Sequence, residues 1–172
     1  MVVAVARYRG KQRRYTTETR GHTAMSETTK TAIYSLLTAD ATLAALLGTD
    51  ENGAPAVFNA NMNSKLQSAT SGASWTYPCI TFRESSGTPD ARFTSGLVEY
   101  EYFDLEIWWQ DNSALTGARI SGRLDTLLHN TSLTVDSGTC YNCSRVSKVA
   151  DNYDDKSNTH FSLLRYQLVV SS

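Results

Sequence analysis

Apolar and polar positions alternate along the chain in a way that predicts helix, then strands, then helix, then strands. From Thr28 to Leu47, Ile33, Leu36 and Leu37 fall on one helical face, with Ser26 placed to cap the start. Asp40 interrupts the stripe and can cap a second short piece that buries Leu43, Leu46 and Leu47 and stops at Gly48. One helix or two in tandem fit equally. Residues 48–55 are turn chemistry, and a short strand is expected around Ala56–Asn59. Residues 60–74 are polar and read as a long mobile loop.

Tyr77–Glu84 reads as a strand with Ile80 and Phe82 on one face and Pro78 fitting only at its start or on an edge. A loop over Ser85–Gly96 separates it from the strongest strand pattern, Glu99–Gln110. There Phe103, Leu105, Ile107 and Trp109 share the core face. Tyr102, Asp104, Glu106 and Trp108 share the other, which is expected to meet solvent or a partner. Asp111–Ser113 can cap a helix over Leu115–His129 with Ile120, Leu124, Leu127 and Leu128 as its stripe; Gly117 and Ser121 allow close packing on a sheet. Strands near Leu133–Asp136, Cys140–Ala150 and His160–Val170 close the chain, the last two forming a hairpin about the loop at residues 151–158. The order predicts an α+β fold: a mixed or mainly antiparallel sheet with two helical segments packed on one face.

Composition supports a folded domain and excludes several classes. Of 172 residues, 41% are hydrophobic and 19% charged, enough for a core. No stretch approaches the roughly 20 apolar residues of a membrane span. Three cysteines do not make a disulfide scaffold. The net charge of −1 hides an asymmetry. Residues 1–24 carry Arg7, Arg9, Lys11, Arg13, Arg14 and Arg20 against Glu18, a net of +5, while residues 25–172 hold 10 basic and 16 acidic side chains, a net of −6. The chain therefore divides into a basic arm, 1–24, and a domain, 25–172. The arm's apolar run precedes its charges, the reverse of a secretory signal, and Gly10 and Gly21 interrupt the helical face of a mitochondrial presequence. Met25 looks like a natural start, which makes the arm either an extension or the result of a start codon assigned too early. It reads either as a solvated tail or as a segment that ties onto an acidic neighbouring subunit or onto DNA.

The pattern contains no phosphate-binding glycine loop and no nucleophile elbow. His22, His129 and His160 stand apart from any Cys or Ser partner, and His129 is explained by its place at a helix C-terminus. Cys140 and Cys143 have half the spacing of a zinc knuckle without the other half, and residues three apart on a regular strand point to opposite faces. The carboxylates Glu99, Glu101, Asp104 and Glu106 read as a solvated or inter-subunit acidic strip rather than an acid–base pair. No catalytic residue, metal ligand or cofactor is expected, and the chain is not expected to be an enzyme. Tyr100, Tyr102, Trp108, Tyr141 and Tyr153 lie among polar neighbours, as interface aromatics do.

The order of elements resembles the tail-completion, or tail terminator, proteins of tailed phages. The resemblance runs over about residues 30–170: TAIYSLLTADATLAALLG, then YPCITFRESSGTPD, FDLEIWWQD, ALTGARISGRLDTLL and YNCSRVSKVADNYDDKSNTHFSLLRYQLVV. The basic arm and the long polar loop are additions to that pattern. The resemblance implies a structural virion protein located at the head–tail junction and assembled in the host cytoplasm. It would form a hexameric ring that ends the tail tube and joins the tail to the head. The implied partners are further copies of the chain, the tail tube protein, a head-completion or connector protein, and DNA passing through without sequence-specific binding; no membrane is implied. Candidate interface residues are Arg7, Arg9, Lys11, Arg13 and Arg14 on the arm, Arg83, Asp90 and Arg92 around the 84–96 loop, and Tyr102, Asp104, Glu106 and Trp108 on the long strand. Two other readings remain: another head–tail connector or tail-tube component, and a nucleic-acid-binding module that uses the arm.

Overall fold

A computed structural model describes residues 27–59, 75–85, 99–135 and 138–171. The elements are α1 (Glu27–Ala39), α2 (Ala41–Ala44), β1 (Val57–Asn59), β2 (Cys79–Glu84), β3 (Glu99–Trp109), α3 (Ala114–Leu128), β4 (Thr131–Val135), β5 (Gly138–Asp154) and β6 (Thr159–Ser171). They build one six-stranded sheet in the order β1-β2-β3-β6-β5-β4. Only β1 and β2 run parallel; every other neighbouring pair is antiparallel. This is the expected α+β fold with a mixed sheet.

The tandem-helix alternative holds. Asp40 ends α1 and caps α2, its carboxylate accepting from the Leu43 N–H at 2.7 Å. The same carboxylate takes a two-pronged contact from Arg123 on α3 at 2.9 and 2.5 Å, locking the helical layer together. Gly48 does more than end a helix. A Cβ there would lie 2.2 Å from the Thr76 carbonyl oxygen, and Gly48 N–H donates to Pro78 at 2.7 Å. A glycine is needed so that the segment before β2 can cross the end of α2.

The core lies between the helices and one face of the sheet. Ile33, Leu37, Leu43, Ile120, Leu124 and Leu128 pack on Ile80, Phe82, Phe103, Leu105, Ile107, Leu164, Tyr166 and Leu168, all fully buried. Each of those strand residues obeys the two-residue alternation that the sequence pattern carries. The long hairpin departs from expectation. β5 runs on through Asp154, so the first half of the predicted 151–158 loop is strand and the second half the turn before Thr159. Register shifts at Cys140/Asn142, Arg145/Ser147 and Val149/Asn152 keep this 17-residue strand paired with β6. The first shift falls between Cys140 and Cys143, so the regular-strand spacing assumed for them does not apply. Cys140 pairs with Val170 and Cys143 with Leu168, positions of the same parity on β6.

The expected Ser26 cap, the 60–74 loop, Asp90, Arg92 and the whole arm lie outside the described residues. No helix among the described residues is long and apolar enough to cross a membrane.

Candidate functional site

The face of the sheet opposite the helices gathers the polar residues of the long strands. β3 lies between β2 and β6, so its carboxylates have basic neighbours on both sides. Arg165 on β6 grips Asp104 with two hydrogen bonds, 2.7 and 3.0 Å. The pairing holds the guanidinium above its ordinary pKa, first through the hydrogen bond and then through the charge. Arg83 on β2 reaches Glu106 at 3.1 Å, and the Thr81 hydroxyl donates to the other Glu106 oxygen at 3.2 Å. Gln167 donates to the Tyr102 hydroxyl at 2.6 Å. The result is a ladder of cross-strand contacts rather than a row of solvated charges.

Burial removes the solvated alternative of the acidic strip for Asp104 and Glu101. Asp104 is 3% exposed and Glu101, which faces the helices, 8%. Trp108 is also 8% exposed. A carboxylate reaches such burial only when a partner offsets its lost hydration, and Arg165 does so for Asp104. Among the expected interface aromatics, Tyr100 and Tyr102 are half-buried and Tyr153 is exposed. Of the charged candidates, Arg83 stands half in solvent.

Trp108 belongs to a second apolar cluster that none of the described helices enters, with Ala56, Phe58 and Cys79 at its centre and Trp75, Tyr77 and Phe161 around them. Trp108 stacks on Phe161 at 4.9 Å, while Trp75 meets Tyr77 edge-on at 4.9 Å and Phe58 at 5.8 Å. Burial pushes the Tyr77 phenol well above its ordinary pKa, with Cys79 and Asp154 adding to the effect. Beside this cluster a cleft of about 590 Å³ opens between the segment before β2, the end of β3 and the β5–β6 turn. Trp75, Tyr77, Pro78, Trp109, Asp111 and Ser157 are among its walls. Tyr77–Pro78 is a cis peptide. Ser157 donates to Asp154 at 2.6 Å, and this bond, with backbone donors, holds the Asp154 carboxyl below the usual range. The indole N–H groups of Trp75, Trp108 and Trp109 are all buried without an acceptor among the described residues.

Between α3 and the hairpin, Asp125 accepts from the Tyr166 hydroxyl at 2.9 Å and pairs with Arg145. Burial first, and the hydrogen bond to Asp125 second, push the Tyr166 phenol far up. His129 at the helix end accepts the Arg145 backbone N–H at 3.0 Å. These contacts tie a helix to strands and place no nucleophile beside a base. Cys79 and Cys143 are buried. No group of three or more His, Cys, Asp or Glu among the described residues is arranged to hold a metal ion.

Sequence reasoning missed Arg165, Phe161, Trp75, Tyr77 and Asp154. Arg165 sits at a polar position of an alternating strand, but its partner lies 61 residues earlier, and only the sheet order joins them.

Residues 31–171 match the family described as tail completion protein gp17. Among solved structures, a chain from the virion of a native gene transfer agent particle shares the fold with a TM-score of 0.59 and 17% identity, covering 83% of this chain and 94% of that one. Comparison with curated proteins returns no match.

Proposed function

We infer that this chain, which belongs to the tail completion protein gp17 family, ends the tail tube as a ring, hexameric as the family resemblance implies, and joins the tail to the head. Membership makes it a structural phage tail protein. The observation that carries the finer reading is the extent of the family match, which begins inside α1 and ends in β6 and so covers the described sheet and reaches each of the described helices.

A closed ring of identical copies needs two different, complementary patches on each subunit. The face opposite the helices is one candidate, bearing Arg83, Tyr102, Asp104, Glu106 and Trp108. The 84–96 loop, with Asp90 and Arg92, and the arm, with Arg7, Arg9, Lys11, Arg13 and Arg14, supply others. The domain's net charge of −6 suits a channel that DNA traverses, because phosphates adhere to basic surfaces. The tail tube protein and a head connector are the neighbours this role requires. The role requires neither catalysis nor a cofactor.

Microscopy of particles made without this gene tests the reading. Overlong tubes detached from full heads are expected. Tails of normal length on sound heads would overturn it.

A further inference from the structure

We propose that the cleft beside Trp75 and Trp109 receives the basic arm, residues 1–24, of an adjacent copy of this chain. The proposal rests on the ring reading above and names the contact that would join one subunit to the next.

Three features of the cleft match such an occupant. Its walls are aromatic: Trp75, Tyr77 and Trp109, with Pro78 beside them. Flat rings accept guanidinium groups by stacking and cation–π attraction. Its rim is acidic. Asp111 lines it, Asp154 lies close enough to raise the Tyr77 pKa, and Asp151 and Asp155 flank the same hairpin end against Lys156 alone. The arm carries Arg7, Arg9, Lys11, Arg13 and Arg14 interleaved with Tyr8 and Tyr15. Finally, the indole donor of Trp75 has no acceptor among the described residues. An extended segment brings backbone carbonyls at intervals of about 3.3 Å, and a small movement of the Trp75 ring would let its indole use one.

Position favours a neighbour over the chain's own arm. The arm leads into Glu27, and Lys30 one turn later feels Glu84 and Glu101. Those residues mark the end of β2 and the start of β3, whereas the cleft lies at the start of β2 and the end of β3. Root and receptor therefore sit at opposite ends of the same two strands, as a head-to-tail contact requires. A span of 24 residues reaches up to about 80 Å when extended, ample for the next subunit.

The test places the photo-crosslinker benzoylphenylalanine at position 8, in place of Tyr8, in the full chain, and irradiates assembled particles. A dimer-mass species that joins position 8 to residues 75–78 or 109–111 is expected. Arg13→Glu with Arg14→Glu should lower its yield about tenfold, and Arg→Lys at both should keep it. A monomer-mass link into the cleft, a link to DNA or to another virion protein, or no link to the cleft would each overturn the proposal. Tail length in the same particles separates the two readings. Normal, head-joined tails without the link sink this contact alone, while particles lacking the chain sink the ring as well.

Discussion

Gly117 on α3 lies against the benzo edge of Trp109 at the end of β3, so that a Cβ at residue 117 would come within 2.5 Å of Trp109 Cη2 and 2.7 Å of Cζ3. Trp109 is 1% exposed and stacks on His160 at 5.7 Å, so the ring has little room to retreat. Gly117→Ala should therefore destabilise by about 1–3 kcal/mol through overpacking, despite alanine's better helix propensity. Thermal unfolding should show a Tm lower by roughly 3–9 °C. Combining it with Trp109→Phe should cost less than the sum of the two single changes, because the smaller ring relieves the clash. Strict additivity would show that the contact is not the cause.

Asp104 depends on Arg165 more than Arg165 depends on Asp104. The carboxylate side chain is 4% exposed and the guanidinium 38%. Arg165→Met leaves a buried charge without its partner and should cost about 3 kcal/mol. Asp104→Asn leaves the arginine free to turn to water and should cost less. Urea unfolding of the two variants checks the order, and an equal loss would place the cost elsewhere.

The Asp40 carboxyl is held below its ordinary pKa, first by the Arg123 hydrogen bond and further by the Leu43 N–H. A carboxylate whose pKa falls on folding contributes stability above its unfolded value, about 3.9, and that contribution fades as pH drops through the folded value. Asp40→Asn keeps a capping oxygen but loses the ion pair. The Tm gap between wild type and this variant should be steady from about pH 7 to pH 5 and narrow as pH falls below the ordinary carboxylate range, about 3.9. A gap that does not narrow at all as pH falls below about 3.9 would rule out the carboxylate as its source.

The fold was legible where one element's pattern sufficed. The apolar faces of β3, β6 and α3 follow periods of 2 and 3.6, and each matches its structure closely. The Asp40 break was also visible, because capping chemistry is local. What stayed hidden depends on residues distant in sequence. The burial of Asp104 needs Arg165, and the burial of Trp108 needs Phe161, each delivered by β6 as the neighbour of β3. The length of β5 was hidden for another reason. Its three register shifts break the alternation, so a polar, irregular run such as Asp151–Asp154 reads as loop. The cleft was illegible because its walls come from three separated segments.

Arg83 offers the cleanest test of the sheet face as a subunit interface. Trp108 does not, since it is packed on Phe161 within the chain, and Trp108→Ala should itself cost about 3 kcal/mol of folding stability. Arg83 is half exposed, and its contact with Glu106 is of the kind that contributes less than about 1 kcal/mol. Glu106 also retains the Thr81 hydroxyl when the arginine is lost. Arg83→Ala should therefore leave Tm within about 2 °C of wild type. If this face meets a neighbour, Arg83→Glu should reduce incorporation into particles while the isolated chain stays folded, because a like charge beside Glu106 repels across the contact as well as within it. Normal incorporation of a folded Arg83→Glu protein would remove this face from the ring contacts and leave the loop and the arm to supply both patches.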